Sequence, residues 1–494
     1  MNRVVVMKFG GTSVEDATAI LRTAGIVAGH VQKGLQPIVV VSAMAKVTDL
    51  LISAAATAAR GDRASALAIT ERLRIRHKDT ATAIARQAIE KDSPLPVDAT
   101  VLADPGIVAT HTWMDTEFDN LDEILRGLAV VGELTPRISD MIVSYGERLS
   151  SRMITEAFAR RTLNAVHVDS RQCIVTDAQY GKAIPQDTAI EQKLKLHVLP
   201  HLSEGRVPVM GGFIGSTEQG VTTTLGRGGS DFTAALVGGG IDAGAIEIWT
   251  DVNGIMTADP RVCPDALRVK TISFEEAAEL AYFGAKVLHP ATILPAVKKN
   301  IPVFVLNSRN PENGGTRITA LAPHCKSPFK SIAVKKRLTI MDVVASRMLL
   351  SHGYLRAIFE VFDKHKCPVD MVSTSEVSVS LSVDSNEKLP AIAADLSKLA
   401  DVKYEGRKAL ICMVGENIRG QSGIAARVFL AVRDVNLRMI SQGASEINMS
   451  FMVEEDDADE AVRSLHAEFF SDPDPEIFDV EAPERQAIAS RQLG

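Results

Sequence analysis

The sequence predicts an α/β protein: a mainly parallel sheet sandwiched between helix layers, three layers in all, followed by a smaller α+β region built twice. Three observations carry that prediction. From Arg3 to about Leu306, short apolar β-rich runs alternate with longer helical patterns. Such runs are apolar on both faces, as strands covered by helices on each side require. Near Ala320 the composition shifts at Ala322-Pro323-His324-Cys325-Lys326-Ser327-Pro328. Beyond that linker the chain repeats itself: Gly353–Phe359 parallels Gly423–Phe429, and Ser375–Val383 parallels Ser445–Val453.

Taken in order, the strand candidates are Arg3–Phe9, Pro37–Ser42, Ala165–Asp169, Val207–Phe213, Ala245–Thr250 and Ile301–Leu306. A helical pattern starts near Val14, a charged helical excursion spans Gly61 to about Gln87, and further helices fit Arg137–Arg161 and Phe274–Lys299. The last is interrupted near His289-Pro290, because proline cannot continue a helix. Each C-terminal repeat has the order strand, Gly-started helix, strand, alternating strand, helix, with a closing strand giving βαββαβ. The expected partition is residues 1–320, 330–400, 401–470 with strands open to exchange between the two repeats, and a poorly ordered acidic tail at 471–494.

Whole-chain quantities exclude several classes. At 494 residues the chain is too long for one core and suggests two to four domains. The balance of 54 basic and 61 acidic residues, net −7, implies no broad basic surface and no nucleic-acid partner. Five scattered cysteines (Cys173, Cys263, Cys325, Cys367, Cys412) form no C-x-x-C pair, which argues against a disulfide framework or zinc site and for a reducing, cytoplasmic compartment. No signal peptide fits the start, and no run of about 20 apolar residues spans a membrane.

Two glycine-bearing loops stand out. Lys8-Phe9-Gly10-Gly11-Thr12-Ser13 follows Val4-Val5-Val6. Glycines let backbone N–H groups approach an anion, a following helix adds partial positive charge, and Lys8 adds a point charge. The same residues also suit a plain Gly-Gly turn. The order differs from a P-loop, in which lysine follows the glycines. Thr222-Thr223-Thr224-Leu225-Gly226-Arg227-Gly228-Gly229-Ser230-Asp231 closes another strand. Its glycines favour a loop that folds over an anion, with Arg227 able to grip a carboxylate or phosphate bidentately and Ser230 capping a helix over Phe232–Val237. Elsewhere the pattern is plainer. Thr48 or Ser42 reads as a helix N-cap, Glu147 as an exposed glutamate, and the acids of Thr250–Arg261 as turn formers. Phe283–Pro290 supplies Lys286 at a Gly-broken helix.

Lys-Phe-Gly-Gly-Thr-Ser, Leu-Gly-Arg-Gly-Gly-Ser-Asp, Trp-Thr-Asp-Val-x-Gly-Ile and Phe-Gly-Ala-Lys-Val-Leu-His-Pro, in this order over residues 8–290, resemble aspartate kinase. The whole chain to about residue 470 is similar to the single-function, lysine-sensitive type: an amino-acid-kinase domain followed by paired ACT modules. The resemblance implies ATP-dependent phosphorylation of the β-carboxylate of aspartate, with feedback inhibition at the ACT modules. It implies that Lys8, Gly10 and Gly11 hold the transferring phosphoryl group, with Lys8, Arg227 and Asp231 catalytic and Asp231 orienting the lysine. It assigns Ser42, Thr48, Glu147, Arg227 and Ser230 to the substrate, Arg227 on its α-carboxylate and Glu147 on its ammonium. Thr250, Asp251, Met256, Arg261 and Lys286 fall at the nucleotide site, where Met256 replaces a common aromatic and implies altered ATP affinity. Mg²⁺ is expected on the phosphates, without a dedicated protein metal site.

An effector site is implied at Met348, Ser351, Tyr354, Leu355, Asp370, Thr374, Ser375 and Glu376. Asp370 and Glu376 suit a cationic effector, so lysine is the first expectation. Threonine is the alternative, since a histidine of the lysine-inhibited type is Leu350 here. Edge strands of such modules favour a homodimer or larger oligomer. Rival functions are a kinase of the same fold acting on acetylglutamate, glutamate or a nucleoside monophosphate, and an amino-acid sensor with an inactive kinase domain.

Overall fold

The computed structural model describes residues 3–89, 104–284, 290–344 and 353–480. They fall into two compact units, Met1–Gly254 with Leu288–Ala320, and Ile255–Val287 with Leu321–Gly494. Residues 471–480 are not a loose tail: Phe478–Asp479 pairs with Arg268–Val269, and Ile477 and Phe478 are fully buried. The remainder of the expected tail, 481–494, lies outside the described residues.

The first unit is built on a sheet in which strands neighbour one another in the order Thr316–Thr319, Val303–Asn307, Ala245–Thr250, Val4–Phe9, Gln36–Val41, Val207–Gly211, Ala165–His167. Thr316–Thr319 pairs antiparallel; the others run parallel. All six runs expected from the sequence are therefore strands. Alternation explains why the central run is apolar throughout. Val5, Met7 and Phe9 join the core under the helices Ala17–Gln32, Val47–Ala59 and Tyr145–Arg160. Val6 faces the opposite helix, Gly229–Gly240, where a Cβ on Gly238 would lie 2.6 Å from Ile246 and 3.8 Å from Val6. Gly238 thus lets the helix lie against the sheet. The charged excursion expected over Gly61 to about Gln87 is the 27-residue helix Arg63–Ile89, and a second helix of the same length, Pro105–Val131, was not anticipated. Arg137–Arg161 divides into Pro136–Val143 and Tyr145–Arg160. The strands at Val4–Phe9 and Ala245–Thr250 end side by side, and the chain order reverses between them, as at the switch points where such sheets bind ligands.

The second unit contains a six-stranded antiparallel sheet ordered Val369–Thr374, Ser378–Asp384, Phe329–Val344, Asp401–Gly415, Asn448–Glu454, Met439–Gln442. Its two long central strands serve both repeats. Leu338–Val344 pairs with Ser378–Asp384 in the first repeat, whereas Phe329–Lys335 runs beside Leu410–Gly415 and supplies a strand to the second. The first repeat is thus inserted within the second. A register shift between Lys335 and Leu338 marks the junction, with Arg337 at φ 61° and Arg407 at φ 56° on the facing strands. Each repeat starts its first helix after a left-handed glycine, Gly353 at φ 80° and Gly423 at φ 82°. Among the described residues, no helix is long and apolar enough to cross a membrane.

Candidate active site

At the carboxyl ends of the first unit's strands lies a cavity of about 530 Å³. Lys8, Gly11, Ser42, Thr48, Glu147, Arg227, Ser230 and Asp231 all line it. The two glycine-bearing loops, more than 200 residues apart in sequence, therefore share one cleft. Gly10 adjoins it: a Cβ there would lie 3.6 Å from Lys8 Nζ. The first loop is held by Gly10 N–H donating to Trp249 O (3.0 Å) and Ala45 N–H donating to Gly11 O (3.2 Å). A Cβ on Gly11 would approach Ala43 O to 3.1 Å, so the bare backbone is what lets the two strand-end loops meet. These glycines open a single 3₁₀ turn, Gly11–Ser13, and not the long helix. That helix begins at Ala17, and its N-terminus is already capped by Asp16, which accepts from Ala19 N–H at 2.8 Å.

Lys8 is 9% exposed, and its Nζ stands 2.7 Å from Asp231 Oδ1. The approach is poorly angled for a hydrogen bond, so the contact acts as charge pairing that holds the ammonium in the cleft. Asp231 is in the first turn of the Gly229–Gly240 helix. That helix is entered through Gly228 at φ 73°, with no side-chain cap, so Ser230 is inside its first turn and does not cap it. Gly226 at φ 76° and Gly228 bracket Arg227 and turn the loop over the cavity. A Cβ on Gly212 would fall 2.7 Å from Ser230 Cα, so the strand end must lack a side chain for Ser230 to reach the cleft.

Glu147 departs most from its sequence pattern. It is 3% exposed, with Oε1 accepting from Ala43 N–H at 3.2 Å and Oε2 without a partner among the described residues. Burial pushes its pKa from 4.5 to about 8, opposed only weakly by the Ala43 amide. The carboxyl is therefore neutral at pH 7 until a cation arrives. Neither Ser42 nor Thr48 caps a helix. Ser42 O accepts from Ser150 Oγ (2.8 Å), and the Val47–Ala59 helix is entered through Lys46 in the left-handed conformation at φ 66°.

Pattern reading missed Lys46, Phe213 and Asp140. Lys46 and Phe213 (φ 65°) both line the cavity in a conformation costly for residues with a Cβ, placing backbone strain at this cleft. Asp140, 2% exposed, accepts from Gly181 N–H (2.8 Å), Thr224 N–H (3.0 Å) and Thr224 Oγ1 (2.7 Å), anchoring the strand that leads into Gly226. Burial raises its pKa against those three donors. Its only sequence signal is an acid among the apolar residues of Pro136–Val143.

The expected nucleotide residues are not gathered in this cavity. Thr250 and Asp251 follow Trp249 at the adjacent strand end, with Thr250 Oγ1 3.2 Å from Asp251 Oδ1. Met256 and Arg261 belong to the second unit, and the exposed Arg261 is paired to Asp259 at 2.5 Å. Lys286 lies outside the described residues, as do Met348, Leu350 and Ser351. Of the other expected effector residues, Leu355, Thr374, Ser375 and Glu376 are exposed, and the Tyr354 hydroxyl is buried without a partner among the described residues. Asp370 is not free for a cation: Lys335 Nζ already meets both its oxygens, at 2.9 and 2.8 Å.

The amino acid kinase family matches residues 3–307, and an ACT domain matches residues 411–469. Lysine-sensitive aspartokinase 3 of Escherichia coli strain K12 is 38% identical over 488 residues, covering 95% of this chain and 100% of that protein. Aspartokinase 1, chloroplastic, of Arabidopsis thaliana is 35% identical, covering 95% of this chain and 80% of its own length. Among solved structures, E. coli aspartokinase III in complex with lysine and aspartate (T-state) aligns with TM-score 0.79 at 35% identity, over 95% of this chain and 100% of that one. The same enzyme with aspartate and ADP (R-state) aligns with TM-score 0.75 at 35% identity, over 94% of this chain and 100% of that one. Matched from the kinase unit through the ACT modules, the chain belongs to the aspartokinase family.

Proposed function

We propose that this protein transfers the γ-phosphoryl group of ATP to the β-carboxylate of L-aspartate, giving 4-phospho-L-aspartate and ADP. One observation carries the proposal: Lys8, Arg227 and Asp231 share a cleft with Ser42, Thr48, Glu147 and Ser230. Arg227 grips the α-carboxylate and Glu147 the ammonium of aspartate, while the hydroxyls of Ser42, Thr48 and Ser230 orient it. No general base is needed, since an aspartate side chain with pKa about 3.9 is already ionised. The barrier is an anion approaching a polyanion, so positioning and charge stabilisation do the catalysis. A carboxylate oxygen forms the new bond to phosphorus, the bridging P–O bond breaks, and ADP leaves with the electron pair. Lys8, kept in place by Asp231, neutralises the equatorial charge with the Gly11 amide, while the Gly10 N–H, bonded to Trp249 O, holds the loop in place. Mg²⁺ would be held mainly by the phosphates and water and would supply charge neutralisation there, with Asp49 and Asp231 as the cleft carboxylates, besides Glu147, that could reach its waters. Thr250, Asp251, Met256, Arg261 and Lys286 are assigned to the nucleotide.

The ACT modules take an end-product amino acid, lysine first, with Met348, Ser351, Tyr354, Leu355, Thr374, Ser375 and Glu376 around it. Asp370 reaches its ammonium by releasing Lys335. The modules also join copies into a homodimer or larger oligomer. Five free, buried cysteines suit a reducing compartment, the cytoplasm. Trapping the acyl phosphate as a hydroxamate tests the activity. Aspartate with Mg-ATP gives product; a larger signal with acetylglutamate or glutamate, or none with aspartate, overturns the assignment.

A further inference from the structure

Within the second unit, Cys263, Asp265 and His466 bring a thiol, a carboxylate and an imidazole nitrogen within 4.8 Å of one another. Two segments some 200 residues apart supply them: the loop Thr257–Leu267 and the helix Ala458–Phe469. We propose that these three side chains bind one thiophilic divalent cation of the zinc class, clipping the loop to the helix.

Distances favour a cation over a hydrogen bond. His466 Nδ1 lies 3.6 Å from Asp265 Oδ2. That is too long for a hydrogen bond. Two ligands about 2.0–2.1 Å from a tetrahedral zinc are separated by about 3.4 Å, so a small shift of Asp265 completes the edge. The other ring nitrogen is already held: His466 Nε2 is 2.9 Å from Thr257 Oγ1, which itself accepts from Leu267 N–H at 2.9 Å. In the tautomer whose Nε2–H donates to that hydroxyl, Nδ1 turns its lone pair toward the carboxylate; in the other, Nδ1–H faces it, and a bound cation selects the first. A cation between them converts that repulsion into coordination, and Thr257 becomes the partner that orients a metal-bound histidine.

The remaining features suit the same ion. Cys263 is 2% exposed and His466 3%, so both are fixed by packing, whereas the Asp265 side chain is 77% exposed and gives the ion a path from solvent. Thiolate with imidazole selects zinc over magnesium or calcium. The ion would immobilise the loop that carries Asp259 and Arg261.

Cobalt(II) titration of the full-length, chelator-treated protein tests the site. Expected is a thiolate-to-cobalt absorption band that saturates at one cobalt per chain and is erased by added zinc. Asp265→Asn, a change at an exposed position, should weaken cobalt binding by at least ~10-fold, the lower range for losing even an outer-shell partner. Cys263→Ser should remove the band. No band in the wild-type protein, a band that survives Cys263→Ser, or Asp265→Asn binding cobalt as tightly as wild type each overturns the proposal.

Discussion

Glu147→Gln tests the proposed substrate site most directly, because the burial of its carboxyl gives the expected effect a sign and an approximate size. The wild-type carboxyl, with its pKa raised by burial to about 8, is ionised in about one molecule in eleven at pH 7. In the proposed site the aspartate ammonium pairs with the ionised form. Its KM should therefore fall about tenfold from pH 6 to pH 7, about fivefold more from pH 7 to pH 8, and level off above that. Calorimetric titration at pH 7 in buffers of different ionisation enthalpy should show about 0.9 proton released per aspartate bound. The glutamine variant should bind aspartate weakly, with no such slope and no proton release.

Stability carries the opposite sign. Between pH 4.5 and about 8 the folded chain holds a proton that the unfolded chain has lost, so this group destabilises the fold progressively as pH rises. At pH 9 the cost reaches up to about 5 kcal/mol, and Glu147→Gln should raise Tm there but not at pH 5. A wild-type aspartate KM that is flat from pH 6 to 8, shared by the glutamine variant, would refute the placement of Glu147 against the substrate ammonium.

Four other outcomes are expected. Lys8→Ala should lower kcat by ~10²–10³, or roughly 2.7–4 kcal/mol of transition-state stabilisation, and steady-state kinetics within a few-fold of wild type would contradict that. Arg227→Ala should raise the aspartate KM by ~10–10², the worth of a charge-assisted pair, with Arg227→Lys recovering only part because it lacks the planar fork. Asp140→Ala strands the donors of Gly181 and Thr224, so it should cost about 2–4 kcal/mol and speed amide hydrogen exchange at Thr224; unchanged exchange there would remove its anchoring role. Lys335→Met frees the Asp370 carboxylate and should tighten inhibition by lysine, measured as a lower half-inhibiting concentration, whereas looser inhibition would mean Lys335 itself supports the effector site.

Local pattern made the strands legible, since each apolar run has both faces covered, and it made the Gly226–Asp231 loop legible, since Gly226 and Gly228 occupy the left-handed conformation; in the first loop Gly10 is extended, and its glycines serve close backbone approach. The sequence by itself thus determined the alternation of strand and helix, the doubled C-terminal repeat, and the presence of Lys8 and Arg227 on glycine-bearing turns at strand ends. Tertiary structure alone decided what those residues meet. Glu147 is buried with its carboxyl met by the amide of Ala43, 104 positions away; Asp140 is fixed by Thr224, 84 positions away. Asp370 is paired because Lys335 lies on a neighbouring segment, and the first repeat is inserted within the second because Phe329–Lys335 pairs beyond it. The physical reason is the same in each case. Secondary structure follows from forces acting within a few residues, whereas burial, charge state and partner choice are set by groups that only the folded chain brings together.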